Sequence, residues 1–263
     1  MEQRLVVFRK RKMTLTIVFA VIALLFIGSS IITQYGPIAG ITSIPKAIAW
    51  IATKLVPNAK SLRRIPDILT QLCQTAFLSV AVTVVSGIIA FFFALLGSKT
   101  TSVNPAAARV VRIIAAFFRN VPNVVWAMLL LFSFGQNILT GFLALSFYTF
   151  GLLTRAFIET IDEVSASCVE ALHATGASFM QIVFQGIIPS SIAEIITWVL
   201  YMIETNIRDA TLVGILTATG IGALFDLYFK RLDYASAGLV VLSIVILVVI
   251  IETISNKIRR VIL

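Results

Sequence analysis

Histidine and cysteine are almost missing from this chain: His173 is the one histidine, and Cys73 and Cys168 are the two cysteines. Without imidazoles or thiolates at metal-ligand spacing, zinc chemistry and histidine-based acid–base catalysis have almost nothing to work with. No catalytic residue and no metal site are assigned. Cys73 falls in an apolar run and Cys168 in a polar segment, so no disulfide is expected. Charge is scarce as well. Asp, Glu, Lys and Arg make up 13% of the residues, against about a quarter in soluble domains. No Lys or Arg occurs between Arg155 and Arg208. There is no short-period repeat, no low-complexity tract and no soluble second domain.

What is abundant is apolar surface. Of 263 residues 59% are hydrophobic, and the mean hydropathy is +1.01. Such a chain cannot hide its surface from water, so an all-α integral membrane protein is expected. Apolar runs cover about 14–33, 68–96, 106–134, 138–158, 191–213 and 234–253, which gives six transmembrane helices. Much of the net charge of +9 sits at the ends: Arg4, Arg9, Lys10, Arg11 and Lys12, then Lys257, Arg259 and Arg260. Six spans place both ends on the cytoplasmic side. The first run is too long for a signal-peptide core, so it is read as an uncleaved helix. Nucleic-acid binding is excluded because no soluble reading domain remains.

Residues 34–66 are broken by Pro37, Pro45, Pro57 and Pro66. Between them, 44–56 can form an amphipathic helix on the outer surface, despite the nearby Lys46, Lys54, Lys60, Arg63 and Arg64. The chain therefore divides into residues 1–65, a helix with an outer segment, and residues 66–260, the main transmembrane domain.

Residues 159–189 turn polar and small, and a long polar stretch inside a compact membrane protein calls for a purpose. They hold Glu159, Asp162, Glu163 and Glu170. Helix is favoured over 163–175, Gly176 permits a sharp turn, and 178–188 can form a second helix ended by Pro189. Ala166, Ala171, Ala174 and Ala177 keep backbone close to any docking surface. The expected product is a short helical hairpin with an acidic outer face.

The order Glu170-Ala171-Leu172, then Gly176, then Gly186-Ile187-Ile188-Pro189 resembles the cytoplasmic coupling loop of bacterial ABC importer permeases. Their pattern is Glu-Ala-Ala, three residues, Gly, nine residues, Ile-x-Leu-Pro. Leu172 replaces the second alanine, Gly186 the isoleucine and Ile188 the leucine. Two further strings, Arg119-Asn120-Val121-Pro122-Asn123-Val124-Val125-Trp126-Ala127 and Glu204-Thr205-Asn206-Ile207-Arg208-Asp209-Ala210-Thr211 with Gly220-Ile221-Gly222 after it, look like the phosphonate-importer permease family over about 65–260. The resemblance implies a type I ABC importer permease in the bacterial cytoplasmic membrane. Its partners would be a cytoplasmic ATP-binding subunit dimer, a second permease chain (an identical copy or a sister) and an extracytoplasmic phosphonate-binding protein. Glu170 and Ala171 would dock, Gly176 would set the turn, and Pro189 would break the helix before the fifth span.

Charges inside spans are expensive and are functional candidates. Glu204 and Arg208 stand four apart with the glutamate first, which favours a pair on one face. Either the pair only lowers the insertion cost, or Arg208 lines a path for an anion and Glu204 holds it. Arg119 and Asn120 precede Pro122, which should kink the third span and free a carbonyl. Either Arg119 snorkels to the inner surface, or it faces the path. Arg119, Asn120, Glu204, Asn206 and Arg208 form the candidate translocation path. Gly220-Ile221-Gly222 lacks a strand–helix setting, and Gly97-Ser98-Lys99-Thr100 interrupts the Gly-Lys pair of a phosphate loop. No cofactor is therefore expected in this chain, with ATP and magnesium assigned to the partner ATPase. The expected function is import of a phosphonate, phosphite or phosphate-ester-like oxyanion by alternating access. The alternatives are another small solute on the same scaffold, or an ion-coupled secondary transporter.

Overall fold

The computed structural model describes residues 2–102, 104–164 and 166–262. The side chains of Arg4, Arg9 and Ala166 lie outside the described residues. Among those described the secondary structure is helical throughout, with no strand. The chain divides into two units, Met1–Lys54 and Leu55–Leu263.

The first unit holds α1 (Glu2–Ile32) and α2 (Pro37–Lys54). Lys10–Ile32 of α1 is long and apolar enough to cross a membrane. Helix α2 is longer than the expected 44–56 and runs through Pro45. It has no buried residue, so the carbonyl that Pro45 cannot serve is free to meet water or head groups.

The second unit starts with α3 (Ala59–Leu62), followed by α4 (Ile65–Gly97), α5 (Pro105–Asn120), α6 (Asn123–Phe134) and α7 (Ile138–Val164). The short α8 (Ala166–Ala174) follows. Then α9 (Phe179–Gln181), a π-helical turn (Ile182–Ile187) and α10 (Ile188–Thr217) run on as one helix of 39 residues. Helices α11 (Gly220–Lys230) and α12 (Tyr234–Ile262) close the chain. The segment 55–65, grouped by sequence with the N-terminal part, belongs to this unit. Ser61 is buried, and Gly238 of α12 lies directly under the Leu55 carbonyl.

Helices α4, α7 and α10 form the centre. Helix α4 buries Ser79, Thr83, Ser86, Gly87, Ala90 and Ala94, a stripe of small residues three or four apart that lets backbones approach, as membrane packing requires. Ser79 donates to the Thr75 carbonyl and Thr83 to the Ser79 carbonyl, both at 2.8 Å, while Ser86 reaches across to the Ser146 carbonyl of α7 at 3.3 Å. Leu153, Phe157, Ile161, Ile187 and Met202 fill the core that these stripes leave. Outward, residues such as Phe77, Phe92 and Phe132 are exposed, as lipid-facing side chains should be.

The third apolar run is not one straight helix. Helices α5 and α6 meet at an 89° bend. Pro122 drives Val121 out of the helical region (φ −93°, ψ 120°) and is itself extended. Five helices among the described residues are long enough to span, and the bent pair makes a sixth, broken one.

Candidate functional site

The polar hairpin exists but is shorter than the sequence suggests. Helix α7 does not stop at Ile158. Thr160 and Ile161 are buried, Arg155 pairs with Glu159 at 2.6 Å, and the helix reaches Val164. Glu159, Asp162 and Glu163 therefore belong to the end of a span. Helix α8 then turns back at Thr175–Gly176. Gly176 has φ +78°, and the Gly176 and Ala177 amides donate to the His173 and Leu172 carbonyls at 3.0 and 3.1 Å, a glycine-ended helix terminus. A Cβ added at Gly176 would meet nothing within 4 Å, so its backbone conformation, and not crowding, requires glycine here. Glu170 and Ala171 are exposed on the outer side, whereas Val169 is buried against the core.

The two departures from the coupling-loop pattern touch each other. A Cβ on Gly186 would lie 2.8 Å from Leu172 Cδ1. The larger side chain at 172 occupies the space that a larger side chain at 186 would otherwise fill. Pro189 does not break the helix, contrary to expectation. The π-helical turn absorbs it: the Ile188 amide reaches back to the Val183 carbonyl. The Ser190 and Ser191 hydroxyls bond carbonyls at Gly186 and Ile187 (2.7 and 2.6 Å). The wider turn relieves the clash and the missing donor that proline brings.

At the bend, the freed Phe118 carbonyl accepts from Trp126 Nε1 at 3.4 Å, and Phe118 stacks on Trp126 with centroids 5.5 Å apart. An aromatic cluster thus splints the break. Beside it, Asn123 Nδ2 donates to Asp209 Oδ2 at 2.6 Å, tying the broken helix to α10. Asn120 is exposed. Arg119, half-buried, borders a cavity of about 600 Å³ with Lys99, Arg112 and Arg155. On α10, Arg208 Nη2 bonds Glu204 Oε1 at 3.1 Å, with the Arg208 side chain 51% exposed and that of Glu204 14%. Asn206, grouped by sequence with the path, is fully buried. Its amide donates to Thr83 Oγ1 at 2.9 Å and accepts from Thr149 Oγ1 at 3.1 Å, which locks α4, α7 and α10 together.

Asp162 was not singled out by sequence reasoning, yet it is the most connected polar group at the hairpin end. Its Oδ1 accepts from the Ser98 hydroxyl at 2.5 Å, the Lys99 amide at 2.7 Å, and the Thr100 amide and hydroxyl at 3.2 Å. Its Oδ2 takes Arg112 Nη2 at 3.1 Å, and Arg112 Nε holds the Gly97 carbonyl at 2.8 Å. The loop that looked like a damaged phosphate loop is thus an anion cradle filled by the protein's own carboxylate.

The fold has known counterparts. The family described as binding-protein-dependent transport system inner membrane component matches residues 86–262. The chain belongs to this family. It is thus the permease subunit of an ABC importer and a multi-pass membrane protein. A chain of the MetNI methionine ABC transporter, solved in inward-facing conformations, shares the fold with a TM-score of 0.62 at 20% identity, over 75% of this chain and 98% of that one. Two relatives by sequence are the phosphate-import permease protein PhnE of Mycolicibacterium smegmatis and the phosphite transport system permease protein PtxC of Stutzerimonas stutzeri. The first is 27% identical over 72% of this chain and 36% of its own length. The second is 26% identical over 72% and 69%. This permease chain thus spans about a third of the mycobacterial relative and over two thirds of the other. The family match at 86–262 takes in α5 to α12, with the bend, the hairpin and the Glu204–Arg208 pair.

Proposed function

We propose that this permease carries a phosphonate, or a phosphite or phosphate-ester-like oxyanion, across a bacterial cytoplasmic membrane by alternating access, with both termini cytoplasmic. ATP and magnesium act in a separate pair of ATP-binding subunits that grip the hairpin around Glu170, Ala171 and Gly176. A second permease chain completes the path, and an extracytoplasmic binding protein delivers the solute. The observation that carries this reading is the unbroken 39-residue helix from Phe179 to Thr217. It is about 58 Å long at 1.5 Å per residue. The exposed hairpin leads into one end of it, and Glu204, Arg208 and Asp209 ride on the far half. A push on the hairpin is then a displacement of those charges, which is what rocking of a helix around a fixed site requires.

Arg208 is the group best suited to an oxyanion. Its planar guanidinium matches tetrahedral oxygens in pairs, half of its side chain is exposed, and Glu204 holds it by one nitrogen. The names of the phosphate- and phosphite-importing relatives support the same chemistry. The test is ATP hydrolysis by the reconstituted complex, stimulated by solute-loaded binding protein. With Arg208→Ala, stimulation by methylphosphonate should fall about tenfold or more, the loss of one charge-assisted contact, while basal hydrolysis persists. Undiminished stimulation would remove Arg208 from the path, and stimulation by methionine or a quaternary amine alone would remove the oxyanion.

A further inference from the structure

The cavity of about 600 Å³ between α5 and α7 is lined by four cations, Lys99, Arg112, Arg119 and Arg155, and three carboxylates, Glu159, Asp162 and Glu163. Two of the cations are already engaged. Arg112 spans Asp162 and the Gly97 carbonyl, and Arg155 holds Glu159. Glu163 is exposed. Arg119 is different. No ion pair or hydrogen bond holds it among the described residues, and its Nε is fully buried without an acceptor. A buried donor of a charged group left unpaired costs well over an ordinary hydrogen bond, and guanidinium nitrogens lack any alternative protonation state that would relieve it. Its place in the last turn of α5 gives it favourable helix-end carbonyl charge, but that does not supply an acceptor at Nε. Its position is fixed from behind, because the Arg119 backbone nitrogen would lie 2.6 Å from a Cβ on Gly151. The backbone of Arg119 is therefore pressed against α7, and its side chain borders the cavity.

We infer that this cavity is a second oxyanion site, taking a tetrahedral phosphate-type group between Arg119 and Lys99 at the hairpin end of the permease. Arg112 and Arg155 flank it, and their own carboxylates keep them from closing over it. The group is the free oxyanion on its way out, or the head-group phosphate of an anionic lipid. Lined by both signs with one positive charge in excess, the cavity binds a dianion weakly enough to release it, as an exit site must. The inference uses the oxyanion-permease reading only to name the natural ligand; the site itself rests on Arg119.

The experiment uses the full-length permease with its ATP-binding subunits, without binding protein, in phosphatidylcholine nanodiscs. Calorimetric titration with inorganic phosphate and with methylphosphonate should show saturable binding. Arg119→Ala should weaken it about tenfold or more. Arg119→Lys, which keeps the charge and loses the fork, should fall between. The wild type should also melt at higher temperature with phosphate present, and Arg119→Ala should not. In discs containing phosphatidylglycerol, native mass spectrometry separates the sources. Retained anionic lipid that is lost in Arg119→Ala and Arg119→Lys identifies a head-group site. Phosphate binding unaffected by that lipid identifies the free oxyanion. Equal binding by wild type and both Arg119 variants, or no binding of phosphate, methylphosphonate or anionic lipid, overturns the inference. Uptake in proteoliposomes keeps this apart from the functional reading: methylphosphonate uptake without Arg119-dependent binding refutes only the site. Arg119-dependent binding without uptake refutes only the substrate.

Discussion

Gly186→Ile restores an isoleucine that the coupling-loop pattern carries, yet it should damage this hairpin. The added Cβ would sit 2.8 Å from Leu172 Cδ1 and 3.5 Å from Cys168 Sγ. The rest of the side chain has to displace Leu172 from its contact with the core of Val169, Ile182, Val183 and Ile187. Overpacking of this kind costs about 1–3 kcal/mol. Leu172→Ala removes a half-buried side chain, about 1–2 kcal/mol from lost apolar burial. If the two residues share one space, the double variant Leu172→Ala, Gly186→Ile returns to within about 1 kcal/mol of the parent, a coupling of about 3 kcal/mol, at the upper end for neighbours in contact. The assay is thermal unfolding of the detergent-solubilised complex, together with substrate-stimulated ATP hydrolysis. Each single variant should lower both, and the double should recover both. Additive losses in the double variant would refute the shared-space explanation.

Other expectations follow from the same geometry. Gly176→Ala should cost about 1 kcal/mol because of the positive φ alone, and Gly176→Asn less; larger residues should add no instability of the free chain, since the space is open. Any further loss of transport with size would then report the partner groove, read as a gap between melting temperature and ATPase coupling. Asp162→Asn removes the charge that gathers Ser98, Lys99, Thr100 and Arg112. It should destabilise by about 2 kcal/mol and raise proteolytic nicking at 97–104, whereas unchanged cleavage would show that the loop holds itself. Asn206→Ala should cost about 1 kcal/mol per lost interhelical bond without altering which solutes compete for uptake. An altered solute preference with unchanged stability would put Asn206 back on the path.

Membrane residence and the helical fold were legible because apolar runs of span length leave no other solvent. The hairpin was legible because Gly176 marks a positive-φ turn and Glu170 precedes it at a fixed interval. The end of α7 was misread, since Glu159, Asp162 and Glu163 look like a solvated loop. In fact Glu159 pairs with Arg155 at helical spacing, Asp162 reaches across to Arg112, and Thr160 and Ile161 face the core. The bend at Pro122 was foreseen as a kink, but its size was not, because the aromatic splint from Phe118 to Trp126 is a tertiary contact. Pro189 misled for the opposite reason. A proline reads locally as a helix end, and only the π-helical turn before it, closed by Ser190 and Ser191, lets the helix continue. Asn206 was grouped with the path beside Glu204 and Arg208, whereas burial against Thr83 and Thr149 is a property of three helices at once. The Asp162 cradle and the Asn123–Asp209 tie join residues 50 to 86 positions apart, beyond what any single stretch of sequence displays.

The most direct measurement of the central claim is uptake of labelled methylphosphonate into proteoliposomes holding this permease, its ATP-binding subunits and the binding protein outside. Uptake should require enclosed ATP, survive an ionophore that collapses ion gradients, be displaced by phosphite or phosphate esters, and fail when Glu170→Lys reverses the charge on the hairpin. Uptake that proceeds without ATP and stops with the ionophore would contradict the account.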